Sequence, residues 1–174
     1  MLFVFETEYN QKTLAAMAKC IRKAVRKAKS KRSHIFGWIV IALALLLSFV
    51  VGDEGATITF NKIVTWGAAL VIFITLVFED KINGYFAKKR LLKGTEKAKS
   101  IFTADNFVSE TAIGKSAFFY DKIVSIGETD DYFIFIFSIS HAQAYDKNNL
   151  SGGTSNDFRK FISDVTGKEV IRIK

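Results

Sequence analysis

Gly114-Lys115-Ser116 ends like a phosphate-binding loop, in which backbone amides and a lysine cradle a phosphate. The full pattern, G-x-x-x-x-G-K-[ST], needs glycine at position 109, where this chain has Ser109. It also needs a helix afterwards, whereas the following "SAFFY" reads as a strand, so the segment is expected to be a hairpin turn. Asp130 and Asp131, with Glu128 nearby, have the type and spacing of paired catalytic or metal-binding carboxylates. A turn between two strands explains them equally well, and the sequence offers no third ligand. His141 closes a strand with no partner for acid–base or nucleophilic chemistry nearby. His34 sits beside Arg32 at the edge of an apolar run, where an interfacial position accounts for it. Cys20, the single cysteine, reads as a small apolar packing residue; lipidation or oxidation is the competing role. No catalytic residue, metal site or cofactor is implied, and the chain is expected not to be an enzyme.

What must be positioned is therefore charge and apolar surface. The 174 residues carry a net charge of +8 and contain no proline, where average usage gives roughly nine. The charge is local. Lys19, Arg22, Lys23, Arg26, Lys27, Lys29, Lys31 and Arg32 form a run with no acid among them, and these eight equal the whole net charge. A second cluster comprises Lys81, Lys88, Lys89, Arg90, Lys93, Lys97 and Lys99. Beyond Ser100 there are eight basic residues against ten acidic ones.

The two basic clusters bracket two apolar runs. Residues 35–52 carry no charge; as a helix they are about 27 Å long, close to the roughly 30 Å hydrocarbon core of a bilayer. A second span is expected over 58–78, with Lys62 snorkelling to the interface. Neither run has a solvent face, which argues against two soluble core helices. A cleaved signal peptide is disfavoured by the long basic leader and by the second span that follows at once. The short acidic link "DEGAT", 53–57, makes an antiparallel hairpin with an external turn. Basic residues at the outer ends predict a multi-pass membrane protein with both termini in the cytoplasm. Trp38 and Trp66 each lie near the start of a span, as interfacial aromatics do. Ala44, Ser48, Gly67, Ala68 and Ala69 offer small surfaces that join the spans to each other or join copies in a homo-oligomer.

In this setting the basic residues Lys19, Arg22, Lys23, Arg26, Lys27, Lys29, Lys31, Arg32, Lys88, Lys89 and Arg90 are expected at the membrane surface. There each contributes about 1 kcal/mol toward anionic headgroups. The absence of a stacking aromatic from the first run argues against nucleic acid as the partner. Residues 11–34 are expected to form a basic amphipathic helix. Its stripe is Leu14, Met17, Ala18, Ile21, Val25 and Ala28. Either the bilayer interface or a cytosolic domain can receive that stripe. Residues 79–99 form a basic juxtamembrane segment.

From about Lys97 the pattern changes to period two. "SIFTAD", "NFVSET", "SAFFY", "KIVSIGET" and "DYFIFIFSIS" predict an antiparallel meander. Residues 132–137 are apolar on both faces and suit a central, doubly covered strand. "KNNLSGGTSN" reads as a flexible break. "NDFRKFISDV" predicts a helix with Phe158, Phe161, Ile162 and Val165 on one face, a Thr154–Asp157 capping box and Gly167 as C-cap. "EVIRIK" offers one more strand. About eighty residues make a marginal core, and residues 1–10, with Phe3, Phe5 and Tyr9 alternating, are a candidate addition to the sheet.

The blocks "FTADNFVSET", "SAFFYDKIVSIGETDDYFIFIF" and "DFRKFISDV", within 101–165, resemble the C-terminal domain of bacterial YcxB-like membrane proteins. The resemblance implies an α+β multi-pass protein of the bacterial inner or plasma membrane. In it a two-helix transmembrane hairpin carries a cytosolic antiparallel β-roll (100–174) of pleckstrin-homology (PH)-like form, capped by a C-terminal helix. It supplies no reaction and no catalytic residues. One departure is that "AYDKNNLSGG" lacks the proline such domains often place before the helix. The expected function is binding or regulation: the domain meets a protein partner or a lipid headgroup while the hairpin tethers it. Immunity against a toxin and service as an accessory subunit of a transporter or stress-sensing complex are the alternatives.

Overall fold

The computed structural model describes residues 2–50 and 59–173. The chain is α+β: five α-helices and two sheets. Strand β1 (Phe3–Glu8) leads into helix α1 (Gln11–Ala24), followed by the long helices α2 (Lys27–Val50) and α3 (Phe60–Val77) and the short α4 (Glu79–Lys89). Then come β2 (Lys97–Phe102), β3 (Asn106–Thr111), β4 (Gly114–Phe119), β5 (Ser125–Glu128), β6 (Tyr132–Ile136), β7 (Ala142–Asp146) and β8 (Leu150–Ser151). Helix α5 (Ser155–Thr166) and strand β9 (Val170–Arg172) close the chain. The expected external turn, 53–57, lies outside the described residues.

The period-two region is not one meander but two sheets. The first has the order β4-β3-β2-β1-β8 and the second β7-β6-β5-β9; all pairings are antiparallel except β5 with β9. The N-terminal strand is internal to the first sheet. Phe3 pairs with Phe102 and the register runs unbroken to Glu8 with Lys97, while β8 takes the other side. Alternation follows from the pleat: Phe3, Phe5 and Thr7 point inward and are buried.

The two inner faces meet in an aromatic core of Phe3, Phe5, Phe102, Phe107, Phe133, Phe135 and Tyr145, closed by α5 through Phe158 and Ile162. Phe158 sits 4.6 Å from Phe5 and 5.0 Å from both Phe102 and Phe133, in edge-to-face contacts that suit ring quadrupoles. Helix α5 is capped at both ends. Thr154 and Asp157 form a reciprocal capping box, and Gly167, at φ 64°, ends the helix in the left-handed region that favours glycine.

Strand β6 is buried at all five residues. Phe133 and Phe135 face the aromatic core. Tyr132, Ile134 and Ile136 face the other way and form a second cluster with Cys20, Ala142, Ala144 and Ile173. Ala16, Met17, Ile21, Ala24 and Val25 pack against that cluster. Of the expected stripe, Met17, Ile21 and Val25 are thus covered by the second sheet, whereas Ala28 is exposed on α2.

Several expected boundaries move. The basic helix does not run from 11 to 34. It ends at Ala24, Val25 and Arg26 both donate to the Ile21 carbonyl, and a new helix begins at Lys27 and continues into the apolar run. Lys27, Lys29, Lys31 and Arg32 therefore belong to the first turns of the span helix. The juxtamembrane segment 79–99 is ordered as α4 and the start of β2, so the β-domain begins at Lys97 and not at Ser100. The expected flexible break holds a 3₁₀ turn (Lys147–Asn149) and β8. Strand β7 occupies a stretch left without a predicted element.

The helices α2 and α3 have apolar side chains exposed around their circumference. Phe36 is 69% exposed and Phe60 77%. Both helices are long and apolar enough to cross a membrane. They pack against each other: Trp38 meets Phe73 edge-on at 5.8 Å, the Trp66 indole donates to the Ser48 hydroxyl at 2.8 Å, and Ile41 and Ala69 are buried.

Candidate functional site: the neck between hairpin and β-domain

Four helices converge where the hairpin meets the domain. Helix α4 lies along α1, closest at Gly84, where a Cβ would stand 2.7 Å from the Ala15 backbone nitrogen. Only glycine lets the two backbones approach this closely. At the end toward the hairpin, Arg22 of α1 forks onto Asp80 of α4, Nε to Oδ1 at 2.8 Å and Nη2 to Oδ2 at 2.5 Å. This planar, two-bond geometry is the strong form of an ion pair. Glu79 lies 3.6 Å from the same guanidinium and 2.7 Å from Nε2 of His34 on α2. The Asp80 hydrogen bond holds the Arg22 guanidinium further above its ordinary value. One acidic pair at the start of α4 thereby ties together α1, α2 and α4.

Placed on this frame, the expected membrane-surface residues separate into groups. Arg22 is engaged by Asp80 and Glu79, which corrects its assignment as a headgroup ligand. The Lys88 ammonium donates to the Tyr9 carbonyl at 3.1 Å and stitches α4 to the end of β1. Lys23, Arg26, Lys27, Lys29, Lys31 and Arg32 are exposed around the α1–α2 junction, and Lys89 and Arg90 at the far end of α4. Lys19 and Lys81 flank a cleft of about 360 Å³ formed with Ala15, Ala16, Val77 and Phe78, at the level where α3 ends. Trp38 lies midway along α2, because that helix already begins at Lys27, and Trp66 lies nearly two turns into α3; both pack within the hairpin, against Phe73 and Ser48. Of the small residues, Ser48 and Ala69 serve the hairpin's own interface, whereas a Cβ on Gly67 would meet nothing within 4 Å.

The residues weighed for catalysis do not converge. Gly114-Lys115-Ser116 opens β4, and the Lys115 ammonium reaches Glu110 on β3 at 3.0 Å. Asp131 pairs with Lys12 at 2.8 Å on the surface. His141 is exposed at the β6–β7 turn with its ring 5.5 Å from Phe137. Glu128 is the exception in burial, at 5% exposure. It accepts from Arg159 Nε and Nη2, both at 2.7 Å, and from Lys147 Nζ at 2.5 Å. Burial pushes its carboxyl up, but these hydrogen bonds outweigh that effect and hold it below the ordinary glutamate range. The triad fastens α5 and the segment after β7 to β5, a structural use that the turn-like sequence around Glu128 did not disclose. No group of three metal-ligating side chains occurs among the described residues. Cys20 is fully buried against Gly127, and burial pushes its thiol up to about 12, consistent with packing and not reactivity.

The first sheet also leaves an edge. Strand β4 is exposed at five of its six residues, with Phe119 57% exposed. Beside it Thr95, Ile113, Phe118 and Gln143 line a groove where β3 and β4 part from β7. Unpaired backbone groups on such an edge can accept an added strand.

No curated protein and no solved structure matches the chain. The segment from the last residue of β2 to the middle of α5, residues 102–162, matches the model of the YcxB-like protein family, the family that the quoted blocks resemble.

Proposed function

We propose that this is a membrane-anchored, non-catalytic binding or regulatory protein. Its hairpin crosses the bilayer twice, both termini lie in the cytoplasm, and its PH-like β-domain meets a protein partner or a lipid headgroup. The observation that carries the reading is the β1–β2 ladder. Phe3–Glu8 and Lys97–Phe102 flank the two membrane-length helices, yet they pair along their whole length. Pairing requires both flanks to lie on one side of any bilayer, so an even number of crossings is supported. The cationic residues at α2's first turns favour the cytoplasmic side.

The coupling supports regulation over mere tethering. Helix α1 is clamped between the second sheet and α4, and Arg22 with Glu79 and Asp80 joins them to α2. A partner that shifts the domain therefore loads the hairpin directly. The β4 edge and its groove are the partner surface this reading favours.

The test uses the full chain, because residues 100–174 cannot be removed without exposing β1 and the covered face of α1. A photo-crosslinking residue at Ser116, on the β4 edge, is compared in native membranes with one at Lys160 on the exposed side of α5. A discrete adduct from Ser116 that Lys160 does not give is expected. Equal background from both positions, with the protein intact in the membrane, removes the β4 edge as a partner surface. A reporter after Lys174 that is active only when exported overturns the topology.

A further inference from the structure

We infer that the outer face of α4 lies in the headgroup layer and docks the neck onto the anionic leaflet, so the protein holds the bilayer through an in-plane helix as well as its hairpin. This rests on the reading of α2 and α3 as spans. Helix α4 has two unlike halves. Asp80 and Gly84 meet α1, Lys88 reaches Tyr9 just before it, and Glu79 meets His34 of α2, so both acids of the helix are taken up by protein. Ile82, Tyr85, Phe86 and Lys89 recur at three- and four-residue steps on the other side, and Phe78 and Lys81 stand at its border, where the cleft against α1 opens. Tyr85 is 45% exposed, Phe86 50% and Phe78 42%, which is an uncovered aromatic face on a water-soluble layer. Lys81 lies 5.5 Å from the Phe78 ring centre and Lys89 4.7 Å from that of Tyr85, so each flanking charge stands over a ring.

Three observations name the occupant as lipid. The face is continuous with a membrane-length helix, since Phe78 alone separates α3 from α4. Its charge is wholly cationic and complements an anionic leaflet. Its direction also fits. If α4 simply prolonged α3, it would run beside the first turns of α2; instead Asp80 already bonds Arg22 of α1, so α4 leaves α2 after Glu79. Helix α2 meanwhile runs on from His34 down to Lys27, about 10 Å. That equals one layer of packed helices, about 8–10 Å. The order from cytoplasm to bilayer is then second sheet, α1, α4, headgroups, with amphipathic aromatic and lysine side chains at the interface.

The experiment is spin-label accessibility on the full chain in Cys20→Ala background. The vesicles are phosphatidylcholine with and without phosphatidylglycerol. Labels are placed at Tyr85→Cys and Phe86→Cys, with Leu43→Cys as the lipid reference and Ile139→Cys as the water reference. Expected are oxygen-to-nickel-chelate accessibility ratios at 85 and 86 several-fold above that at 139. They should fall toward it without phosphatidylglycerol or with Lys81→Gln/Lys89→Gln. Ratios at 85 and 86 equal to that at 139, with Leu43 lipid-like, overturn the docking face and leave the hairpin standing. Low accessibility to both probes means a protein covers α4 and also overturns it. A water-like Leu43 instead defeats the reading of the spans beneath it.

Discussion

The β-domain and the helical hairpin are built from similar apolar residues and treat them in opposite ways. Phe5, Phe102, Phe133 and Phe158 have no exposed surface, while Phe36 and Phe60 expose more than two thirds of theirs. The domain solves the problem of water by enclosing rings between two sheets and a capped helix. The hairpin leaves its rings outside, and its internal contacts only hold two helices together. The two regions therefore differ in what a lost side chain costs.

Phe158→Ala removes the ring shared by both sheets and α5 and is expected to destabilise the domain by about 4 kcal/mol. Leu47→Ala, on the exposed side of α2, should cost under about 1 kcal/mol in lipid, where tails replace the lost contact. Hydrogen exchange of the β6 amides in nanodiscs reads the difference. Comparable losses from the two substitutions would mean that the hairpin too is packed against protein.

Electrostatics give a smaller separation. Arg159→Ala leaves Glu128 with Lys147 alone and is expected to cost about 2 kcal/mol, less than a fully enclosed pair because Arg159 is partly exposed. Since the native Glu128 value is depressed, the triad's contribution is complete above the ordinary glutamate value of 4.5 and is lost as pH falls through the lower native value. Acid titration of domain unfolding should lose this component in Arg159→Ala. An unchanged acid limb would show that the triad carries no linkage.

The smallest contrast is between two glycines. Gly84→Ala drives a methyl into the Ala15 backbone, and a net cost of about 1 kcal/mol is expected after alanine's better helix propensity is counted. Gly37→Ala meets the Leu76 side chain and no backbone, with Cδ1 at 2.8 Å, Cδ2 at 3.0 Å and Cγ at 3.3 Å, and should cost less, about 0.5 kcal/mol. Protection of α1 amides separates them. Equal effects would deny that the α1–α4 contact is the tighter one.

Sequence legibility followed the range of the interactions. The caps of α5, Thr154 with Asp157 and then Gly167, act within a few residues and were readable, as were the apolar lengths of α2 and α3. The alternation of Phe3 and Phe5 marks a strand, but its neighbours β2 and β8 are named only by the three-dimensional register. Strand β7 escaped notice because Ala142 and Ala144 are small; they are small where α1 covers the second sheet, and that need is invisible in a local pattern. No glycine or proline marks the break at Val25–Arg26. Glu128 looked like a turn acid because Lys147 and Arg159 reach it from later elements. Arg22 looked like one more headgroup ligand because Asp80 lies beyond the hairpin.

The first sheet closes only when its earliest strand meets one made after both long helices. In synthesis β1 precedes the two long helices and β2 follows them, so β1 waits with both edges open until β2 is made. On the proposed two-crossing topology, a molecule whose second helix fails to return would leave these partners on opposite sides of the bilayer, where no core can assemble. On that topology completion of the fold depends on correct seating of the anchor, and a faulty anchor would leave the first sheet open at β1.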